Sequence, residues 1–177
     1  MLNARPGDVV LVSRRSTFWQ WVRHPISSTI SARIRSSTGS KWSHVACYIG
    51  GGYVVEAEWN KGVVRTHFAS DYHPDKYEWK VVSPPERVDR EAAVAFWNIQ
   101  YKGKATYDHK ALIAMRVNAM LWGHDGIKRY AAKLDSQWIC SELAAAGWFQ
   151  GGMMNGLRDL LVPGDFDQEF QAQRKEF

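Results

Sequence analysis

The sequence predicts a single α+β domain, an antiparallel sheet or partial barrel with helices packed on one side. Three observations predict it. Short β-type runs crowd the first half of the chain, helical periodicity takes over after Arg87, and neither an internal repeat nor an interdomain linker divides the 177 residues. That length suffices for one substantial core, and the 45% hydrophobic and 13% aromatic content separates the chain from disordered polymers.

The elements follow in order. Arg5-Pro6-Gly7-Asp8 is turn chemistry, and the apolar run Val9-Val10-Leu11-Val12 after it reads as a buried first strand. Residues 14–41 form a basic, Ser/Thr-rich insertion, with a short amphipathic element over 17–23 and a further turn of helix over 30–34. Residues 42–58 read as two short strands around Gly50-Gly51-Gly52. Gly62-Val63-Val64-Arg65-Thr66 adds a third strand to this hairpin, and Trp79-Lys80-Val81-Val82 a fourth, in an antiparallel meander. Val88, Ala92, Ala95, Phe96 and Ile99 then recur at helical spacing. A second helix is predicted over 109–122, stopped by Gly123, and a third from Cys140, interrupted late by Gly147.

The net charge of +5 is unevenly placed. Residues 1–43 carry seven basic side chains and one acid, whereas the remainder carries sixteen basic and seventeen acidic ones. Such a segment either contacts an anionic surface (phospholipid headgroups, a nucleic acid, an acidic wall polymer) or is a solvated loop. No apolar run approaches the roughly 20 residues of a membrane span, and Pro6, Gly7 and Asp8 interrupt any secretory leader. The expectation is a soluble chain, cytoplasmic or delivered by a non-classical route, with Cys47 and Cys140 as free thiols. The scattered His24, His67, His73, His109 and His124 make no metal-type pair, and Gly50-Gly51-Gly52 lacks the helix and lysine of a phosphate loop, so neither metal nor cofactor is expected.

Chemistry concentrates in two stretches. A cysteine attacks as its thiolate, which a helix N-terminus and a neighbouring imidazolium both favour. Cys140 stands at the start of a helical run, where free N–H groups could also hold an oxyanion, and His44 would supply the imidazolium. Along the first hairpin strand, alternation puts His44, Ala46 and Tyr48 on one face and Val45, Cys47 and Ile49 on the other, which sets Cys47 aside as a buried residue. A three-residue glycine loop would pair Ala46 with Glu56 and His44 with Glu58, bringing both acids to the histidine's side. A two-residue turn would pair Cys47 with Glu56 and take that acid away.

Gly7-Asp8-Val9-Val10, Ser43-His44-Val45-Ala46-Cys47-Tyr48-Ile49-Gly50, Val55-Glu56-Ala57, Gly62-Val63-Val64 and Cys140-Ser141-Glu142-Leu143, in this order, resemble the circularly permuted papain-like thiol hydrolases. These form the permuted branch of the NlpC-like superfamily, to which lecithin–retinol acyltransferase-like proteins also belong. Tyr107-Asp108 and Pro163-Gly164-Asp165-Phe166 are similar to the bacterial-type members, whereas residues 14–41 match no motif of the family. The acyltransferases differ in having an Asn-Cys-Glu-His nucleophile motif and a histidine where Glu56 stands.

The resemblance implies Cys140 as nucleophile, His44 as base and Glu56 as the group that orients the imidazole, with Glu58 the alternative orienter. Trp42, Tyr48 and Ser141, beside these residues, are the expected substrate contacts. The function implied is cysteine-dependent hydrolysis of an amide or ester through an acyl-enzyme, as in a cell-wall peptidase or amidase. A lipid acyl hydrolase or acyltransferase is the second reading, and an inactive papain-like binding module the third. The partner this implies is a peptide or lipid acyl substrate with no specific nucleic acid, while the charge of residues 14–41 leaves an anionic surface and a solvated loop as alternatives for that segment.

Overall fold

The computed structural model describes residues 2–15, 40–108, 137–153 and 163–167. The expected elements at 17–23, 30–34 and 109–122 lie outside them. Five antiparallel strands form one sheet: β1 (Val9–Arg14), β2 (His44–Gly50), β3 (Tyr53–Glu58), β4 (Gly62–His67) and β5 (Tyr77–Val82). A one-turn helix α1 (Phe68–Asp71) follows β4, α2 (Arg90–Lys102) follows β5, and α3 is Cys140–Gln150. Two two-residue strands, β6 (Thr106–Tyr107) and β7 (Gln137–Trp138), pair in parallel and were not foreseen.

The strand order is β4-β3-β2-β1-β5, so the five-stranded antiparallel sheet is not closed, with β4 and β5 at its edges. The meander is also incomplete: β5 crosses to pair with β1, Val9 opposite Val82 and Val12 opposite Trp79. Strand spacing predicts that strands exist but not which neighbour each takes. Here the one-turn α1 after β4 carries the chain away before a second hairpin can form.

Strand alternation divides the core in two. On one face Val9, Leu11, Val45, Cys47, Val55 and Ala57 pack beneath α2 and α3. On the other, Val10, Val12, Ala46, Tyr48 and Val54 are covered by Phe68 and Tyr72. The two long helices thus share one side, and the α1 region caps part of the opposite one.

Helix α2 begins where Asp89 accepts a hydrogen bond from the Ala92 N–H, a cap for an otherwise unpaired donor. Its buried residues are Ala93 and Trp97, while Ala95 and Ile99 are exposed, so the apolar stripe read from the sequence is rotated from the true one. Ala92-Ala93-Val94-Ala95-Phe96-Trp97 is apolar all round, and the bulk of Trp97 decides which side turns inward. Trp97 donates its indole N–H to the Leu143 carbonyl at 2.9 Å. Gly147 does not interrupt α3. A Cβ there would lie 2.0 Å from Trp97 Nε1, so glycine is what lets the indole pack onto the helix.

Candidate active site

The β2–β3 hairpin places the first two site residues. Its turn is the two-residue Gly51-Gly52, between the paired Gly50 and Tyr53, yet Cys47 stands opposite Val55 and Tyr48 opposite Val54. The shift arises because β2 carries one extra residue, Ile49, as a bulge. Gly50, Gly51 and Gly52 all have positive φ (100°, 61° and 82°), which is why three glycines are needed there. The tight turn expected to take Glu56 from His44 therefore does not, since the bulge restores the register.

His44 Nε2 lies 2.6 Å from Glu56 Oε2. The Glu56 side chain is fully buried, while that of His44 is 22% exposed, so one edge of the ring reaches solvent. Two hydroxyls complete the carboxylate's shell: Thr66 Oγ1 donates to Oε1, and Tyr72 Oη donates to the same Oε2 that His44 uses. Burial alone would raise the Glu56 pKa, but the bonds from His44, Thr66 and Tyr72 hold it below its ordinary range. A nitrogen facing an ionised carboxylate must carry the hydrogen, so Nε2 donates and Nδ1 is left for another partner.

His44 is also hydrogen-bonded with Cys140, and with Nε2 on the carboxylate the ring's chemistry assigns that bond to Nδ1. Its helix approaches from the opposite face of the sheet and meets the histidine at the start of β2. Strand β7 ends two residues before the thiol, anchored where Trp138 stands opposite Tyr107 and donates its indole N–H to Gln100 at 3.0 Å. Ile139 caps α3, its N–H donating to Glu142 Oε2 at 3.3 Å and its carbonyl accepting from Leu143 N–H at 3.0 Å. Cys140 is thus the first helical residue, with the first-turn N–H groups around it. Its sulfur accepts backbone hydrogen bonds from Val45 and Ser141. The β2–β3 pairing runs from Cys47 to Gly50, and beyond it the Val45 N–H turns to the thiol.

Electrostatics favour a charged pair. Burial opposes ionisation of Cys140, but His44 and the two backbone N–H groups bring its pKa below the ordinary thiol range. Burial likewise opposes the imidazolium, but Cys140 and Glu56 raise His44 well above its usual value. Cys47, fully buried on the helix side, is driven the other way by burial and by the charges of Cys140 and Glu56, and stays a thiol. Tyr107, flanked by the charges of Cys140 and Glu142, is pushed upward by burial first and stays protonated.

The remaining expected residues are placed elsewhere. Glu58 makes an ion pair with Lys61 at 2.6 Å and leaves the imidazole to Glu56. Trp42 is buried in the helix-side core, its indole N–H on Asp167 Oδ2 at 2.8 Å. Tyr48 is buried with its hydroxyl accepting from Gly52 N–H at 3.2 Å, under the turn. Ser141 is buried in α3 and meets the site through its backbone N–H. All three side chains are buried. Sequence reasoning missed Thr66 and Tyr72. Thr66 was findable, since it follows Val64 by two residues on the strand that pairs with Glu56. Tyr72 was not, because only the α1 turn brings it back over the sheet.

Among the described residues, no group of three or more His, Cys, Asp and Glu side chains could hold a metal ion, and no helix is long and apolar enough to cross a membrane. No protein-family model matches the chain, and comparison with curated proteins returns no match.

Proposed function

We propose that the protein is a cysteine-dependent hydrolase of the circularly permuted papain-like kind, with Cys140 as nucleophile, His44 as base and Glu56 as orienter. The observation that carries this reading is that His44 engages two partners at once: its Nε2 meets a buried carboxylate, and the same ring is hydrogen-bonded with a thiol at a helix N-terminus. His44 Nδ1 takes the Cys140 proton, and the thiolate attacks an amide or ester carbonyl. First-turn N–H groups of α3 stabilise the oxyanion. The tetrahedral adduct collapses as the imidazolium protonates the leaving amine or alcohol, giving an acyl-enzyme. His44 then deprotonates a water that releases the acid and regenerates the thiol.

The substrate we propose is a peptide or amide bond of the cell-wall type, with lipid esters as the competing class. Both belong in one test panel. Release of product from wall peptides but not from lipid esters, lost in Cys140→Ala and His44→Ala with the fold retained, is the expected result. Lipid-ester turnover alone reassigns the substrate. Turnover unchanged in either variant removes the catalytic assignment, and no turnover with any acyl donor leaves the binding-module reading.

A further inference from the structure

The Glu56 carboxylate is a busier group than an orienting acid requires. Its Oε2 receives two donors at once, the His44 imidazole N–H and the Tyr72 hydroxyl, while Oε1 receives Thr66. Tyr72 is held for this task. It follows α1, its N–H bonded to the Phe68 carbonyl at 2.9 Å, and its ring stacks on Phe68 at 4.9 Å and meets Tyr77 edge-on at 5.2 Å. It also lies nearly parallel to the His44 ring, with centroids 6.4 Å apart. The residue is 9% exposed, so its hydroxyl is kept from bulk water and its proton goes to the carboxylate.

We infer that Tyr72 is a positioning residue of the active site, which fixes the Glu56 oxygen shared with His44 and so governs the imidazole that activates Cys140. This rests on the thiol-hydrolase reading above. The physical reason is that a fully buried carboxylate with one donor can rotate or take up a proton, and either event releases the imidazole. With donors on both oxygens it can do neither, so the His44 ring keeps Nε2 on the carboxylate and its other nitrogen for the thiol. The other titratable groups around the cluster are Cys140 on α3, Cys47 on β2, Glu58 on β3, Lys61 in the β3–β4 turn and Tyr77 on β5. Oε2 takes its hydrogen bonds from His44 and Tyr72, not from any of these, and Tyr72→Phe leaves all of them in place.

The test is the rate of Cys140 alkylation by iodoacetamide against pH, read by peptide mapping, which requires no knowledge of the substrate. Tyr72→Phe keeps the stacked ring and removes only the donor. Loss of a hydrogen bond to a charged group should lower the rate at mildly acidic pH about tenfold and move the midpoint toward that of a free thiol. The rate above the ordinary thiol range should not change. Thr66→Val, which strips the other oxygen, should move the midpoint less. In a Glu56→Gln background the Tyr72→Phe effect should vanish, because the route through the carboxylate is gone. A Tyr72→Phe profile superimposable on wild type overturns the inference, as does an effect that persists undiminished without Glu56. If Tyr72→Phe does not fold, 3-fluorotyrosine at position 72, a stronger donor in the same place, must shift the midpoint, and an unmoved midpoint overturns the inference equally. Failure of the underlying reading looks different: wild-type Cys140 itself then reacts like a model thiol.

Discussion

Glu56 is the residue on which the site turns, because it is the charge that burial should have neutralised. Three donors keep it ionised, and that charge in turn sustains the imidazolium beside Cys140. Glu56→Gln keeps an acceptor but removes the charge, so turnover should fall on the order of a hundredfold or more, whereas Glu58→Gln, which loses only a surface pair with Lys61, should stay within about twofold. Steady-state assays of the two variants check this, and a larger loss at Glu58 would reverse the assignment. The same residues set the pH dependence of stability. The folded-state pKa of Glu56 is depressed, so its contribution is present above the unfolded value and lost as pH falls through the lower folded one. His44 is raised, so its contribution is complete below its unfolded value and lost as pH rises through the folded one. Denaturant titrations across pH should show both limbs in wild type and a flattened acid limb in Glu56→Gln.

At the scale of elements, the hairpin and α3 supply the site, and the sequence revealed them unequally. Alternation along β2 was legible, and it separated His44 from Cys47 correctly because one face of the strand meets α3 and the other meets the α1 region. The turn was not legible. Three glycines are compatible with a three-residue loop or with a two-residue turn plus a bulge, and local sequence does not distinguish them. The buried face of α2 was misplaced for a related reason, since an all-apolar segment has no contrast for periodicity to read. The bulk of Trp97 settles it, and Gly147 shows how closely the two helices fit. Gly147→Ala should therefore destabilise the protein by about 2 kcal/mol or more, as measured by urea unfolding, because neither the rigid indole nor the α3 backbone can yield a full ångström. An unchanged midpoint would mean that the helices can part without cost.

Across the whole molecule, the site is assembled from segments far apart in sequence, and packing at the far end of the chain supports it. Phe166 is buried against Trp148, and Asp167 takes the Trp42 indole N–H and an ion pair from Lys80. This ties residues 163–167 to the entry of β2, two residues before His44. Asp167→Ala should cost about 1–2 kcal/mol in thermal unfolding, chiefly by leaving the Trp42 donor unpaired, and Asp167→Asn should cost less. Equal losses would place the effect in the ion pair instead. Such long-range ties were invisible in the sequence, because nothing in a short Pro-Gly-Asp-Phe motif names its partner.

The central claim is that His44 and Cys140 act as a pair, and the alkylation of Cys140 against pH in wild type and His44→Ala tests it most directly. The account predicts that the wild-type thiol reacts at mildly acidic pH, well below the ordinary thiol range, and that His44→Ala loses this reactivity while retaining the fold. A wild-type profile that titrates like a free thiol, or one that His44→Ala leaves unchanged, would contradict it.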